Sequence, residues 1–165
     1  MEPAETLRII NEKIRDREID KRYLCITLGA PKPPEGEISC FLLKDEKKKQ
    51  VAVYHRPVPG GKTAVTRYRT LERRGELSLL EIELLTGRTH QIRATMADLS
   101  CPLLGDGKYG SGAKNRQYGE TRQALYSYQL TFDFPTDAGI LNYLKGRSFR
   151  VEQVPFREKY FGGKK

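Results

Sequence analysis

Residues 62–86 read KTAVTRYRTLERRGELSLLEIELLT, and their period-two alternation constrains the fold more than any other feature of the chain. The first half is rich in Thr, Val and Tyr, which suit a pleated, half-buried surface. In the second half Leu77, Leu79, Glu81 and Glu83 share one face, opposite Leu80, Ile82 and Leu84. With Gly75 at the junction, the pattern predicts a β-hairpin. The strand bias stops at Gly87. From there RTHQIRATMADLS places Ile92, Met96 and Leu99 at helical spacing, and Pro102 ends the run, which predicts a helix over 88–100.

The remaining segments extend this picture. PAETLRIINEKIRDREI sets Leu7, Ile10, Ile14 and Ile9 near one face of an amphipathic helix, with Pro3 in its first turn. DKRYLCITLGAP alternates Tyr23, Cys25 and Thr27 with Leu24, Ile26 and Leu28 before Gly29 and Pro31 stop the strand. ISCFLL and VAVYHRP are further strands around the solvated charge run KDEKKKQ. ALYSYQLTFDF and RSFRVEQV are two more, flanking a short segment around AGILNYL. The glycine-rich, basic stretch LLGDGKYGSGAKNRQYGETRQ lacks a periodic apolar face and is expected to be a surface loop. Many strands, few helices and no repeated βαβ alternation predict a single α+β domain over 1–165, on a mainly antiparallel or mixed sheet.

Composition narrows the partner. The 165 residues carry 30 Lys+Arg against 21 Asp+Glu, a formal net charge of +9 spread along the chain. That balance favours a polyanion, RNA or DNA, over an anionic membrane. Cys25, Cys40 and Cys101 are odd in number and far apart, with neither disulfide nor zinc spacing. No apolar run approaches the roughly 20 residues of a membrane span, and the first twenty residues are charged, so a cytoplasmic protein without a metal is expected.

LLTGRTHQIR, residues 84–93, gathers Arg88, His90, Gln91 and Arg93 where a strand ends and a helix begins, with Thr89 as the expected cap. Unpaired backbone N–H groups at such a terminus attract phosphate or carboxylate, and arginine's planar fork binds either in two contacts. The same letters also fit surface charges and side chains that satisfy a helix start.

The longer stretch LLTGRTHQIRATMADLSCPLLGDGKYG resembles the signature of the large-ribosomal-subunit type of RNA pseudouridine synthases, an L-x-TGR-[ST]-HQ-[IL]-R helix followed by P-[IL]-LGD-x-x-YG. IDKRYLCITLG, GKTAVTRYRTLE, RQALYSYQLTFDFP and VEQVPFREKYF are similar to other motifs of that family, in family order, from about residue 5 to 161. The resemblance implies the pseudouridine synthase catalytic-domain fold and conversion of uridine to its C-glycoside isomer in ribosomal or transfer RNA, without metal or organic cofactor. It implies a flipped-out base stacked on Tyr23, whose hydroxyl helps proton transfer at C5. It implies that Arg93 pairs with the catalytic aspartate, with Lys21, Arg22, Arg88, Thr89, His90 and Gln91 binding substrate.

The family's aspartate lies in an H-R-L-D-x-x-[TS]-S-G motif upstream of the helix that leads into the KRY strand, and neither HRLD nor RLD occurs in these 165 residues. The resemblance therefore predicts a domain incomplete on its N-terminal side, inactive alone, with Arg93 lacking its counter-ion. An exposed sheet edge would be covered by a dimer partner or by the missing segment. Asp20 and Asp106 are poor substitutes: the first is expected to be a solvated turn residue, the second a cap of the local backbone. Thr95, Tyr126 and Ser127 depart from the family pattern beside the pocket and bear on which RNA is recognised. The alternative is a non-catalytic RNA-binding module derived from the same family.

Overall fold

A computed structural model describes residues 3–15, 19–132, 139, 143 and 145–162. Strands β1 (Ile19–Leu28), β2 (Glu35–Asp45), β3 (Gln50–Tyr54), β4 (Lys62–Arg74), β5 (Leu77–Leu84), β6 (Leu125–Phe132) and β7 (Ser148–Arg150) form one sheet. Helices α1 (Pro3–Arg15), α2 (Gln91–Asp98), α3 (Gly112–Tyr118) and α4 (Pro155–Phe161) surround it. The strand order is β3-β2-β4-β5-β1-β6-β7, and every pairing is antiparallel. The fold is thus α+β. The predicted hairpin is β4–β5, in register from Thr66 opposite Leu84 to Arg74 opposite Leu77, with a bulge between Thr70 and Glu72.

Period two sorts the side chains onto two faces. On one, Cys25, Tyr68, Leu80 and Ile82 pack against Ile92 and Met96 of α2 and against Leu103, and Cys40, Leu42, Val51, Ala64 and Ala94 continue that layer. On the other, Leu24, Ile26, Leu77 and Leu79 meet Leu104, Ala124, Tyr128, Val154 and Phe161 of α4. Each fully buried Leu or Ile contributes about 2 kcal/mol of transfer free energy, so both layers are needed to order a sheet that is apolar on two sides. Beyond Leu79 the second face turns charged at Glu81 and Glu83.

The chain departs from the sequence expectations in three places. In α1 it is Ile9 that is buried, while Leu7 is 60% exposed; the side chains of Ile10 and Ile14, and residues 16–18, lie outside the described residues, as does most of the segment around AGILNYL. The expected surface loop after Pro102 is exposed over much of its length but is anchored by a buried start. Leu103, Leu104 and Asp106 are fully buried, and α3 forms within it, capped by the Ser111 hydroxyl accepting from the Lys114 amide. VPFREKYF, matched above only to a closing motif, is the helix α4.

An irregular segment can be buried because its backbone is satisfied by its own polar side chains. Asn115 accepts from the Gly105 amide and donates to the Asp106 carbonyl, while Asp106 accepts from the Lys108 and Tyr109 amides. Gly105 has φ +84°, and a Cβ there would lie 1.9 Å from the Arg122 carbonyl oxygen, so no other residue fits. The result is a rigid floor beneath α2.

Candidate functional site

The corner between β5 and α2 is built around Gln91. Thr89 was the expected cap, but the cap position belongs to His90, at φ 54° and ψ 22°, and no side chain caps the helix. Gln91, 2% exposed, holds the corner to the sheet instead. Its carbonyl accepts from the Arg88 amide at 3.0 Å and the Thr86 hydroxyl at 2.8 Å. Its amide donates to the Val65 carbonyl at 3.0 Å and the Thr66 hydroxyl at 2.9 Å. With both ends of the amide committed, Gln91 positions its neighbours and has no donor left for a ligand.

Its neighbours line a cleft of about 390 Å³ formed by Tyr23, Leu84, Arg88, His90, Gln91, Ile92, Arg93, Gln123 and Leu125. Tyr23, Arg88, His90, Gln91 and Arg93, singled out in the sequence, are therefore brought together. Leu84, Gln123 and Leu125 were not singled out; the strand alternation marked Leu84 only as apolar, and no sequence signal identified the other two. Burial raises the Tyr23 hydroxyl above its usual range and keeps it protonated at neutral pH.

Three expected members lie elsewhere. Arg22 projects from the opposite face of β1, where it meets Asp20 at 3.2 Å, Glu81 at 3.1 Å and Glu83 at 3.1 Å. Adjacent strand residues point to opposite faces, so Tyr23 and Arg22 cannot share one cleft. Lys21 has the parity of Tyr23 but does not reach the cleft walls. Thr89 faces an adjoining cleft, described below.

Arg93 also differs from expectation: it has a counter-ion. Its Nε and Nη2 donate to Asp106 Oδ2 and Oδ1 at 2.8 and 2.9 Å, in a fork on a carboxylate that is fully buried. The bond to Asp106 raises the guanidinium above its ordinary value. Burial pushes the Asp106 carboxyl up, but Arg93 and the Tyr109 and Lys108 amides outweigh it and hold it below the usual carboxylate range. Asp106 caps the local backbone as expected and pairs with Arg93 as well. Buried in this way, it is a support and not an accessible nucleophile.

Tyr109, not singled out as a site residue although it lies three positions after Asp106 in the same motif, meets His90. Its hydroxyl accepts from the Val51 amide at 2.8 Å and stands 2.9 Å from His90 Nδ1, with the two rings edge to face. The hydroxyl meets Nδ1 either as donor or, through its second lone pair, as acceptor, so the contact fits both neutral tautomers of His90. Burial, followed by the charges of Arg93 and Lys108, lowers the His90 pKa. The ring is therefore held in its neutral form at neutral pH. The Arg93 guanidinium lies 5.2 Å over the Tyr109 ring, which locks both groups in place.

No group of three or more His, Cys, Asp or Glu suited to a metal ion occurs among the described residues, and all three cysteines are free and buried. Among the described residues, no helix is long and apolar enough to cross a membrane.

The fold is shared with solved pseudouridylate synthase domains. The chain superposes on the structure of human RNA Pseudouridylate Synthase Domain Containing 4 with a TM-score of 0.68 and 22% identity, over 90% of this chain and 63% of that one. For human RNA Pseudouridylate Synthase Domain Containing 1 the TM-score is 0.64 at 21% identity, over 93% and 68%. The family model for RNA pseudouridylate synthase matches residues 3–98, and the chain belongs to that family. It is 37% identical over 113 residues to the uncharacterized RNA pseudouridine synthase YhcT of Bacillus subtilis, covering 66% of this chain and 36% of that protein. It is 36% identical over 132 residues to ribosomal large subunit pseudouridine synthase D of Borreliella burgdorferi, covering 78% and 38%. The chain thus spans well under half the length of these relatives.

Proposed function

We propose that this chain forms the RNA-binding and pocket-supporting part of a pseudouridine synthase that isomerises uridine in ribosomal or transfer RNA. The observation that carries this reading is the single cleft shared by Tyr23, His90 and Arg93. A uridine stacked in a duplex or loop is out of reach, so the base must leave the stack, and Tyr23 with Leu84, Ile92 and Leu125 supplies one aromatic and three apolar surfaces to receive it. In its Nε2–H tautomer, with the Tyr109 hydroxyl donating to Nδ1, His90 is a neutral donor suited to a uracil carbonyl or a sugar oxygen. The protonated Tyr23 hydroxyl is placed to exchange a proton at C5. The nucleophilic aspartate comes from a segment carrying the HRLD motif, positioned by the face of Arg93 not occupied by Asp106.

The test is tritium release from RNA labelled at C5 of uridine. The chain alone is expected to release none, and the same chain extended by a segment with the HRLD motif to release it. Within the extended protein, Arg93→Lys is expected to lower turnover more than Arg88→Ala, because lysine keeps the charge but loses the fork. An extended protein that binds RNA yet stays silent would favour a second reading, a non-catalytic RNA-binding module. That reading draws on the closed Arg93–Asp106 pair, which needs no further carboxylate to be satisfied.

A further inference from the structure

Beside the uridine cleft, and sharing Arg88 with it, lies a second cleft of about 170 Å³ lined by Leu42, Lys44, Val51, Gly60, Lys62, Gly87, Arg88 and Thr89. Three cations line it and no carboxylate does. Lys62 has no ion-pair partner among the described residues, and Lys44 meets only Glu46, at 3.7 Å, with the two side chains 57% and 80% exposed. Arg88 is different in kind. Its Nε donates to the Thr63 carbonyl at 2.8 Å, which fixes the guanidinium plane and leaves its terminal nitrogens uncommitted to any carboxylate.

The floor of the cleft matches the cations. Gly87 leaves open space, since a Cβ there would meet nothing within 4 Å, and a ligand can approach the backbone closely. Thr89 is exposed and makes no hydrogen bond through its hydroxyl or its amide among the described residues. Both residues precede His90, the cap residue of α2, so the amino end of that helix adds a partial positive charge nearby. Three cations, a free hydroxyl and accessible amides, with no compensating acid, are what a tetrahedral dianionic or monoanionic oxygen group requires.

We infer that this second cleft is a phosphodiester site that seats the RNA backbone next to the uridine, with Lys44, Lys62 and Arg88 as its cations and Thr89 as a hydroxyl donor. The inference rests on the RNA-binding reading and adds to it where the strand runs: from the uridine cleft, past Arg88, toward the turn between β2 and β3. Phosphate contacts of this type fix register and orientation and carry no base information. The opposite face of the sheet, rich in arginine, takes no part.

The test compares two double variants matched in charge. Fluorescence anisotropy with a labelled, uridine-containing single-stranded RNA oligonucleotide is read across a series of salt concentrations, using the full chain. Lys44→Ala with Lys62→Ala is expected to weaken binding at least about tenfold and to reduce the slope of log affinity against log salt by about 0.7, one phosphate's worth on a single strand. Arg67→Ala with Arg69→Ala removes the same charge from the opposite face and is expected to leave that slope unchanged. Melting curves confirm that both proteins are folded. If the wild type binds RNA and the two double variants behave alike, the site is wrong and the RNA reading stands. If the wild type does not bind RNA, or binds without salt dependence, the RNA reading fails and the site falls with it. A second arm follows the Gly87 and Thr89 amides by NMR. Shifts as large with inorganic phosphate as with the oligonucleotide would overturn the RNA assignment in favour of free phosphate.

Discussion

On the open face of the sheet, Arg22, Arg67 and Arg69 stand among Glu35, Glu37, Glu81 and Glu83 around a cleft of about 580 Å³. At the corner before α2, Lys44, Lys62 and Arg88 line a cleft without a carboxylate, and among the described residues their one ion pair is Lys44 with the outlying Glu46. Both regions are rich in cations, and only one is lined by cations without carboxylates. On the sheet face the antiparallel register sets Arg22 opposite Glu83, Arg67 opposite Glu83 and Glu37, and Arg69 opposite Glu81, and each arginine forms an ion pair with those carboxylates across the ladder. Glu81 is the hub: it accepts from Arg22, Arg69 and the Tyr128 hydroxyl. Burial pushes its carboxyl up, and the Tyr128 hydroxyl with the two arginines outweighs this and holds it below the usual range. The larger cleft is thus self-neutralised and the smaller one keeps the excess charge. Volume is a poor guide to function here; unpaired charge is a better one.

The contrast can be broken most directly at the corner. Asp106→Asn leaves Arg93, only 14% exposed, without its counter-ion and is expected to cost about 3 kcal/mol in urea unfolding. The pH dependence has a definite sign. Because the folded Asp106 pKa lies below its unfolded value near ~4, its contribution is present above that value and is lost as pH falls through the lower, folded one. Wild type should therefore lose stability in acid more steeply than the variant. Equal acid slopes would show that the pair is not what holds the corner.

Glu81→Gln is the corresponding change on the sheet face. Although Glu81 is 11% exposed, its partners Arg22 and Arg69 are 34% and 57% exposed, so solvent screens the pair. A loss of about 1 kcal/mol is expected, and a cost equal to that of Asp106→Asn would erase the distinction between the regions. At the rim, removing the Arg67–Glu37 pair, with side chains 53% and 47% exposed, should change stability by less than about 0.5 kcal/mol and by nothing measurable in high salt. A double-mutant cycle at two salt concentrations measures it. The smallest effect is on His90: nitrogen-15 NMR should find its proton on Nε2, and Tyr109→Phe should shift the population toward Nδ1–H with little change in melting temperature. A proton already on Nδ1 in the wild type would reverse the hydrogen-bond assignment.

Much of this was legible in the letters. The alternation from Lys62 to Leu84 gave the hairpin and both of its faces, and the helix after Gly87 followed from the change of period at Ile92, Met96 and Leu99. The same rule would have separated Arg22 from Tyr23, since neighbours in a strand cannot face one cleft; grouping them by motif obscured it. The motif series pointed to the family, and with it Tyr23, His90 and Arg93. The burial of 103–106 and of Asn115 was not legible, because Asp106 and Asn115 look like turn residues until their backbone partners are known.

Local chemistry determined which residues form strands, where the chain turns and which family it belongs to, because periodicity and turn residues act over a few positions. Only the tertiary structure decided what each charge meets. Arg93 finds Asp106 thirteen residues on, Tyr109 bridges His90 to the amide of Val51, and the glutamates of β5 silence the arginines of β1 and β4. An ion pair depends on a few ångströms between groups far apart in sequence. Its sign can be read from composition, but its partner is set by how the sheet and the loops close.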